Sequence, residues 1–128
     1  IPSSKRSSPF VSLIKSLVKR KDFLVLQRDG QQVRRGPIQV QFLSSINSED
    51  VNSVFVGYAI SRNVGSAVFR NKIRRQLREI MSQIYKSDTD FPKGNYLVRV
   101  FPNIKKKSFL EMNTAVNEVI NELKKNGI

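Results

Sequence analysis

The chain has 128 residues, of which 23 are lysine or arginine and 10 are acidic, and its formal net charge is +13. Its length suits one domain over residues 1–128, and the absence of cysteine and histidine excludes disulfides, thiolate metal sites, cysteine nucleophiles and histidine acid/base chemistry. We therefore expect no catalytic side chain, no metal held by side chains, and an acidic polymer, above all a nucleic acid, as the partner.

The N-terminal region is only partly interpretable. The Ser/Pro-rich stretch SSKRSSP at 3–9 predicts a mobile basic arm over residues 1–9, and the start at Ile1 suggests a trimmed or processed chain. Apolar residues then recur at helical spacing after Pro9 and predict a short helix through Phe10, Leu13, Ile14, Leu17 and Val18. The next segment, KDFLVLQRDG at 21–30, fits either a strand or a helix ending at Asp-Gly, and the local pattern leaves both open.

Three later segments have the pattern of strands. Ile38, Val40 and Phe42 alternate with glutamines, as in a strand with one buried face. VFVGYAI at 54–60 is apolar on both faces and suits a central strand. YLVRVF at 96–101 is a further strand, ended by a proline.

The C-terminal segment has the clearest helical pattern. Ser108 and Glu111 form a capping box, after which apolar residues recur at helical spacing up to the lysines at 124–125 and Gly127. The element order is helix, strands, basic helix, strand, helix. It predicts an α+β fold, a two-layer α/β sandwich on a sheet of about four strands. No apolar run approaches the roughly 20 residues that span a bilayer, and no signal peptide is evident, so a cytoplasmic protein is expected.

The basic helix, residues 67–84, separates apolar from charged side chains. At 100° per residue its apolar residues fall within an arc of about 80°. The opposite arc holds Asn71, Arg74, Arg75 and Arg78, while Arg70 and Lys72 lie at the flanks. The apolar residues are Phe69, Ile73, Leu77, Ile80 and Ile84.

Such a face could simply be solvated, but its charge pattern favours a nucleic acid. Residues 61–78 contain six basic and no acidic residues, whereas solvated helix faces usually mix the two signs. Five of the six are arginines, whose planar guanidinium binds phosphate bidentately. The preceding turn, residues 61–67, has two open interpretations: its small residues let an RNA backbone approach the helix N-terminus, or Gly65 serves only a tight connection.

The segment RNVGSAVFRNKIRR at 62–75, with Arg78-Glu79 after it, resembles the signature of the protein subunit of bacterial ribonuclease P, which has a V-G-x-A-V-x-R-N-x-I-x-R core and a trailing R-E. Lys21-Asp22-Phe23 resembles the acidic-Phe element of that family. The resemblance covers about residues 15–124. It implies an αβββαβα order with a left-handed crossover through the basic helix, and a helix at 21–29.

The resemblance also implies a function. Members of the family bind a large catalytic RNA, and the two together remove the 5′ leader from precursor tRNA while the RNA and its Mg²⁺ ions perform the hydrolysis. The residues that correspond to RNA contacts are Arg62, Arg70, Asn71, Lys72, Arg74, Arg75 and Arg78.

A leader cleft is implied as well, with Phe23 in it, although this residue is equally interpretable as a core aromatic. Gln27 and Gln41 stand where relatives have cleft aromatics, and Arg62-Asn63 stands where relatives often have two lysines, so leader contacts are expected to rely less on stacking. Two alternatives to a ribonuclease P subunit stay open from the residues alone: a non-catalytic RNA-binding module resembling a ribosomal protein domain, and a protein nuclease that acts alone.

Overall fold

A computed structural model describes residues 14–16, 20–44, 54–87 and 91–125 of the chain. These segments contain five strands, three α-helices and two short 3₁₀ turns, Arg62–Val64 and Pro102–Lys106. The strands and helices are β1 (Ile14–Ser16), α1 (Arg20–Asp29), β2 (Gln31–Arg35), β3 (Ile38–Ser44), β4 (Val54–Ile60), α2 (Ala67–Ser87), β5 (Gly94–Val100) and α3 (Phe109–Lys125).

All five strands form one sheet in the order β1-β4-β5-β3-β2. β3 is antiparallel to both β2 and β5, whereas β4 is parallel to β5 and to β1. The basic helix α2 is therefore the crossover between two adjacent parallel strands. The predicted α+β class and the αβββαβα order are confirmed, with β1 as an addition, and the left hand of the crossover stays a prediction.

The prediction of a helix around Ile14 is wrong for the described residues 14–16. Residues 14–16 are extended and pair with β4, in the register Ile14 to Val54 and Ser16 to Val56. The apolar spacing in this segment fits a helix, but pairing with the edge of β4 supplies backbone hydrogen bonds that local pattern cannot reveal. The arm at residues 1–9 and the end of the C-terminal helix at Gly127 lie outside the described residues.

The sheet has two unlike faces because side chains alternate along each strand. Even-numbered residues of β3, β4 and β5 pack with α2 and α3 into the main core, in which Ile38, Val98 and Leu77 are almost completely buried. Odd-numbered residues face α1, where Leu26 and Leu97 form a smaller buried cluster. Among the described elements, α1 alone covers the other sheet face.

The ambiguous segment at 21–30 is a helix that ends at a glycine. The Gly30 N–H donates to the Leu26 carbonyl over 2.9 Å, and a side-chain carbon on Gly30 would stand 2.6 Å from that same oxygen. Only glycine fits this close approach, so Gly30 ends α1 and starts β2 directly. The helix implied by the family resemblance is confirmed.

The predicted capping box begins α3. The Glu111 N–H donates to Ser108 Oγ over 3.2 Å, and the Ser108 N–H donates to Glu111 Oε1 over 2.9 Å. The hydrogen bond from the Ser108 backbone, assisted by the nearby Lys107 charge, lowers the pKa of Glu111. Arg35 on β2 lies 3.2 Å from Glu122 and 3.9 Å from Glu118, and these ion pairs join β2 to α3. No helix in the described segments is both long and apolar enough to cross a membrane.

We predict that Leu77→Asp unfolds much of the protein population. Leu77 has no exposed surface, so a carboxylate there would be buried without a partner and should lower the free energy of unfolding by several kcal/mol, on the order of 3 or more. Urea denaturation measures this change. The matched control is Gln83→Asp on the exposed side of α2, which should change stability by less than about 0.5 kcal/mol. Equal stability of the two variants would show that the α2 core face is misassigned.

Candidate RNA interface

The apolar stripe of α2 faces the main core as the helical spacing predicts. Ile73, Leu77, Ile80 and Ile84 are buried, Met81 joins them, and Phe69 packs against the core while half-buried. Five buried side chains therefore fix the rotation of α2 about its axis, and the same rotation turns its charged residues outward.

We call the outward side of α2 the α2 basic face. Asn71, Lys72, Arg75 and Arg78 are exposed, whereas Arg70 and Arg74 are half-buried. Within the described segments no carboxylate forms a salt bridge with any of these cations. The face consists of Arg70, Asn71, Lys72, Arg74, Arg75 and Arg78.

Two of its arginines are held by neutral acceptors. Arg70 Nε donates to the Gly65 carbonyl over 3.2 Å, and one terminal nitrogen of Arg74 donates to Asn71 Oδ1 over 2.8 Å. These bonds orient each guanidinium without neutralising it, and each leaves other N–H groups of the fork available. The predicted RNA residues on α2 are thus brought together on one surface.

The turn before α2 places Arg62 on the exposed side of the 3₁₀ turn Arg62–Val64, where Ser61 and Asn63 are hydrogen-bonded to each other. Gly65 has a packing role: a side-chain carbon there would stand 2.7 Å from Cδ2 of Phe69. The Phe69 N–H donates to Ser66 Oγ over 3.2 Å, which satisfies one free N–H of the first turn of α2. A tight connection accounts for Gly65, and approach of an RNA backbone stays a prediction.

Tyr58 on β4 interacts electrostatically with Arg78 on α2. Burial raises the pKa of Tyr58 to about 12, and Arg78 partly offsets this effect. The phenol is therefore neutral at physiological pH and adds no negative charge beneath the basic face.

The three residues expected in the leader cleft lie on or beside the opposite sheet face. Phe23 is half-buried on α1 and packs in the small cluster of Leu26 and Leu97. Gln27 is exposed on the same helix. Gln41 is only 4% exposed, so its amide lies beneath the surface instead of facing a cleft. Phe23 thus has the packing role that the sequence left as an alternative.

A row of polar side chains crosses this sheet face at Gln39, two residues before Gln41 on β3. Arg34 on β2 is paired in register with Gln39 on β3, Gln39 with Arg99 on β5, and Arg99 with Ala59 on β4. We call Arg34, Gln39 and Arg99 the sheet arginine row. Ala59 belongs to the same apolar cluster as Phe23, so the row lies beside α1.

The sheet arginine row borders Phe101 and a cavity. The Arg34 guanidinium lies 3.9 Å from the centre of the Phe101 ring, a cation–π contact. Arg99 and Phe101 also line a cavity of about 390 Å³ that reaches Ser61 and Asn63 next to the α2 turn. Sequence reasoning missed these residues, although the alternation in β3 and β5 already places Gln39 and Arg99 opposite the core.

In the described part of the chain no group of three or more acidic residues is placed to hold a metal ion. An open, basic, partly aromatic surface suits binding of a nucleic acid backbone.

These features define an α+β protein with a basic helix face, and comparison with known proteins gives the family. A sequence profile described as Ribonuclease P matches residues 14–124. The chain belongs to this family, and the resemblance in residues 62–79 to its protein subunit is confirmed.

Individual relatives in sequence belong to the same family. A ribonuclease P protein component from Thermus brockianus is 32% identical over 98 residues, which is 77% of this chain and 56% of that protein. The corresponding protein of Acidothermus cellulolyticus is 31% identical over 102 residues, 80% of this chain and 82% of its own length. The chain therefore spans little more than half the length of the Thermus brockianus relative.

Solved structures show the same fold. The RNase P protein of Staphylococcus aureus superposes with a TM-score of 0.72 at 22% identity, covering 85% of this chain and 94% of that one. The RNase P protein of Thermotoga maritima gives a TM-score of 0.66 at 22% identity, over 84% and 96% of the two chains. At this identity the likeness concerns the fold alone.

We predict that Gln41→Met stabilises the protein. Gln41 Oε1 is buried and has no hydrogen-bond partner in the described structure, so folding leaves a dehydrated carbonyl oxygen unpaired. A methionine of similar shape removes that oxygen and should raise the free energy of unfolding by about 1 kcal/mol. The control is Gln39→Met, which loses a 3.3 Å hydrogen bond from Gln39 Nε2 to Gln32 Oε1 and should give no gain. A less stable Gln41→Met protein would mean that the oxygen is satisfied in solution.

Proposed function

We propose that this chain acts as the protein subunit of ribonuclease P. In this role it binds the catalytic RNA and the 5′ leader of precursor tRNA, and promotes Mg²⁺-dependent endonucleolytic removal of that leader. The observation that supports this most directly is the α2 basic face: a rigidly anchored helix presents five cations without a carboxylate partner in the described segments. The family resemblance supplies the identity of the RNA.

RNA binding by this face follows from the charge on both partners. Each phosphate that pairs with a lysine or arginine releases condensed counterions, so affinity depends strongly on salt. Arg75 and Arg78 are exposed on neighbouring turns of α2 and are well placed for such contacts. Arg70 and Arg74 are already oriented by hydrogen bonds, so binding costs them less side-chain entropy.

The opposite sheet face suits the single-stranded leader. We infer that the leader crosses the sheet beside α1 and Phe23 and contacts the sheet arginine row. Arg34 and Arg99 supply charge for its phosphates, and Phe101 supplies an aromatic surface next to Arg34. In this proposal Gln27 flanks the path, while Gln41 lies beneath it and does not stack on a base.

Hydrolysis is assigned to the RNA subunit, which holds most of the Mg²⁺ when the complex is assembled and supplies the metal-dependent chemistry. The side chains of this chain bind and orient the two RNAs on either side of the sheet. Positioning of this kind accelerates a reaction by holding the scissile bond where the chemistry takes place.

Reconstitution is the direct test. Mixed with a bacterial ribonuclease P RNA at low Mg²⁺, the protein should restore cleavage of precursor tRNA at the 5′ end of the mature sequence. RNA binding without restored cleavage would favour a non-catalytic module resembling a ribosomal protein domain. Cleavage by the purified protein without the RNA subunit would contradict the assignment of chemistry to RNA.

We predict that Arg75→Gln and Arg78→Gln each weaken binding to the catalytic RNA. Each should reduce the slope of log affinity against log salt concentration by about 0.9 for a duplex contact or about 0.7 for a single strand. Filter binding over a salt series measures both values. The control is Arg28→Gln on α1, where the arginine is paired with Asp29 at 3.2 Å. If the two α2 variants keep the wild-type slope, the α2 basic face is not the RNA contact.

We predict that Arg99→Gln selectively weakens binding of precursor tRNA with a long leader. Arg99 lies in the sheet arginine row, so its loss should reduce that affinity several-fold, on the order of 3–10, in the reconstituted enzyme. Mature tRNA, which has no leader, should bind as before. A basic control is Arg35→Gln, whose guanidinium pairs with Glu118 and Glu122 at α3. An equal loss for both tRNAs would place the leader elsewhere.

A further inference from the structure

A second basic segment lies against the turn that precedes α2. Three lysines follow the buried Ile104, and all three are exposed. The 3₁₀ turn that contains Ile104 packs on the 3₁₀ turn Arg62–Val64. The lysines are Lys105, Lys106 and Lys107.

Lys105 approaches Gly65 directly. Its Cε lies 3.5 Å from the point at which a side-chain carbon on Gly65 would stand. Arg70 reaches the same glycine from α2, with its Nε 3.2 Å from the Gly65 carbonyl oxygen. The Lys105 side chain and the Arg70 guanidinium, from two distant parts of the sequence, therefore both lie near Gly65.

In the segments that the structure describes, neither Lys105 nor Arg70 makes a salt bridge. The acidic residue nearest to Lys105 in sequence, Glu111, is engaged by Ser108 and by the charge of Lys107. Like charges at short range repel, and an anion between them converts this repulsion into attraction. Lys105 is exposed, and Arg70 keeps guanidinium N–H groups beyond the one bound to the Gly65 carbonyl, so both cations are available to a phosphate near this residue.

We propose that Lys105 and Arg70 together bind one phosphate of the catalytic RNA at Gly65. This inference rests on the proposed function and extends the RNA surface from α2 to the connection between β5 and α3. The catalytic RNA is chosen over the leader because Arg70 belongs to the α2 basic face. The signature in residues 62–79 does not contain Lys105, so this contact adds to the set that the resemblance implies.

The test compares Lys105→Gln with Lys86→Gln. Lys86 is also exposed. It lies near the C-terminal end of α2, roughly 28 Å along the helix axis from Ala67 at 1.5 Å per residue. We expect Lys105→Gln to weaken binding of the catalytic RNA and to lower the salt slope by about 0.7–0.9. From about 50 to about 200 mM salt, its deficit relative to wild type should shrink about threefold. Lys86→Gln should show a smaller change in slope.

A double-mutant cycle with Arg70→Gln tests whether one phosphate is shared. Groups that bind a common partner are non-additive, so the combined loss should differ from the product of the single losses by at least about threefold. Multiplicative losses would overturn the shared site. Thermal unfolding of all three variants should match wild type, which separates lost binding from lost folding.

The outcomes separate this inference from the proposed function. If Arg75→Gln weakens RNA binding and Lys105→Gln does not, the phosphate site is wrong and the proposed function stands. If neither variant has an effect, the α2 interface itself fails. A loss confined to precursor tRNA with a leader, at unchanged affinity for the catalytic RNA, would assign Lys105 to the substrate and overturn the choice of partner.

Discussion

The burial of the apolar stripe of α2 is the interaction on which the interface depends. Four pairs of like charges lie three or four residues apart on the opposite side of the helix, each costing about 0.2–0.5 kcal/mol: Arg70–Arg74, Lys72–Arg75, Arg74–Arg78 and Arg75–Arg78. Burying Leu77 or Ile80 alone contributes about 1.5–3 kcal/mol, and three further α2 residues are buried with them. Core packing therefore outweighs the repulsion, and the folded protein can present these cations close together without neutralising them.

The sheet divides the molecule into two surfaces with different chemistry. On one side, α2 and α3 cover the even-numbered residues, and the cations project from the outer side of α2. On the other, the short helix α1 covers only part of the face and leaves the sheet arginine row partly accessible. Because β4 leads into α2 and β5 leads to the lysines at 105–107, the two parallel strands connect both surfaces at the same end of the sheet. Under the proposed function, this shared pair of strands holds two RNA segments in a fixed relation.

Sequence patterns predicted the elements whose periodicity extends over several turns or residues. The stripe of α2, the capping box of α3 and the alternation in β3 are local properties, and all three are present. The failures have non-local causes: residues 14–16 pair with β4, and β2, with its single buried Val33, lacks the alternation of apolar residues that predicts a strand. For the site, helical geometry located the α2 basic face, whereas the row of Arg34 and Arg99 requires a strand register that no single segment contains.

The family resemblance implies aromatic residues in relatives at the positions of Gln27 and Gln41, and under the proposed function this difference changes how the sheet face holds a single strand. Stacking on aromatic rings contributes roughly 1–3 kcal/mol per base and is insensitive to salt, whereas contacts to phosphate weaken steeply as salt rises. With Gln41 buried and Gln27 polar, the half-buried ring of Phe101 beside Arg34 is the aromatic group associated with the sheet arginine row. Leader binding on this face would therefore derive mainly from Arg34 and Arg99. In that case it responds to the number of leader phosphates more than to the identity of the leader bases, because a phosphate contact does not distinguish one base from another.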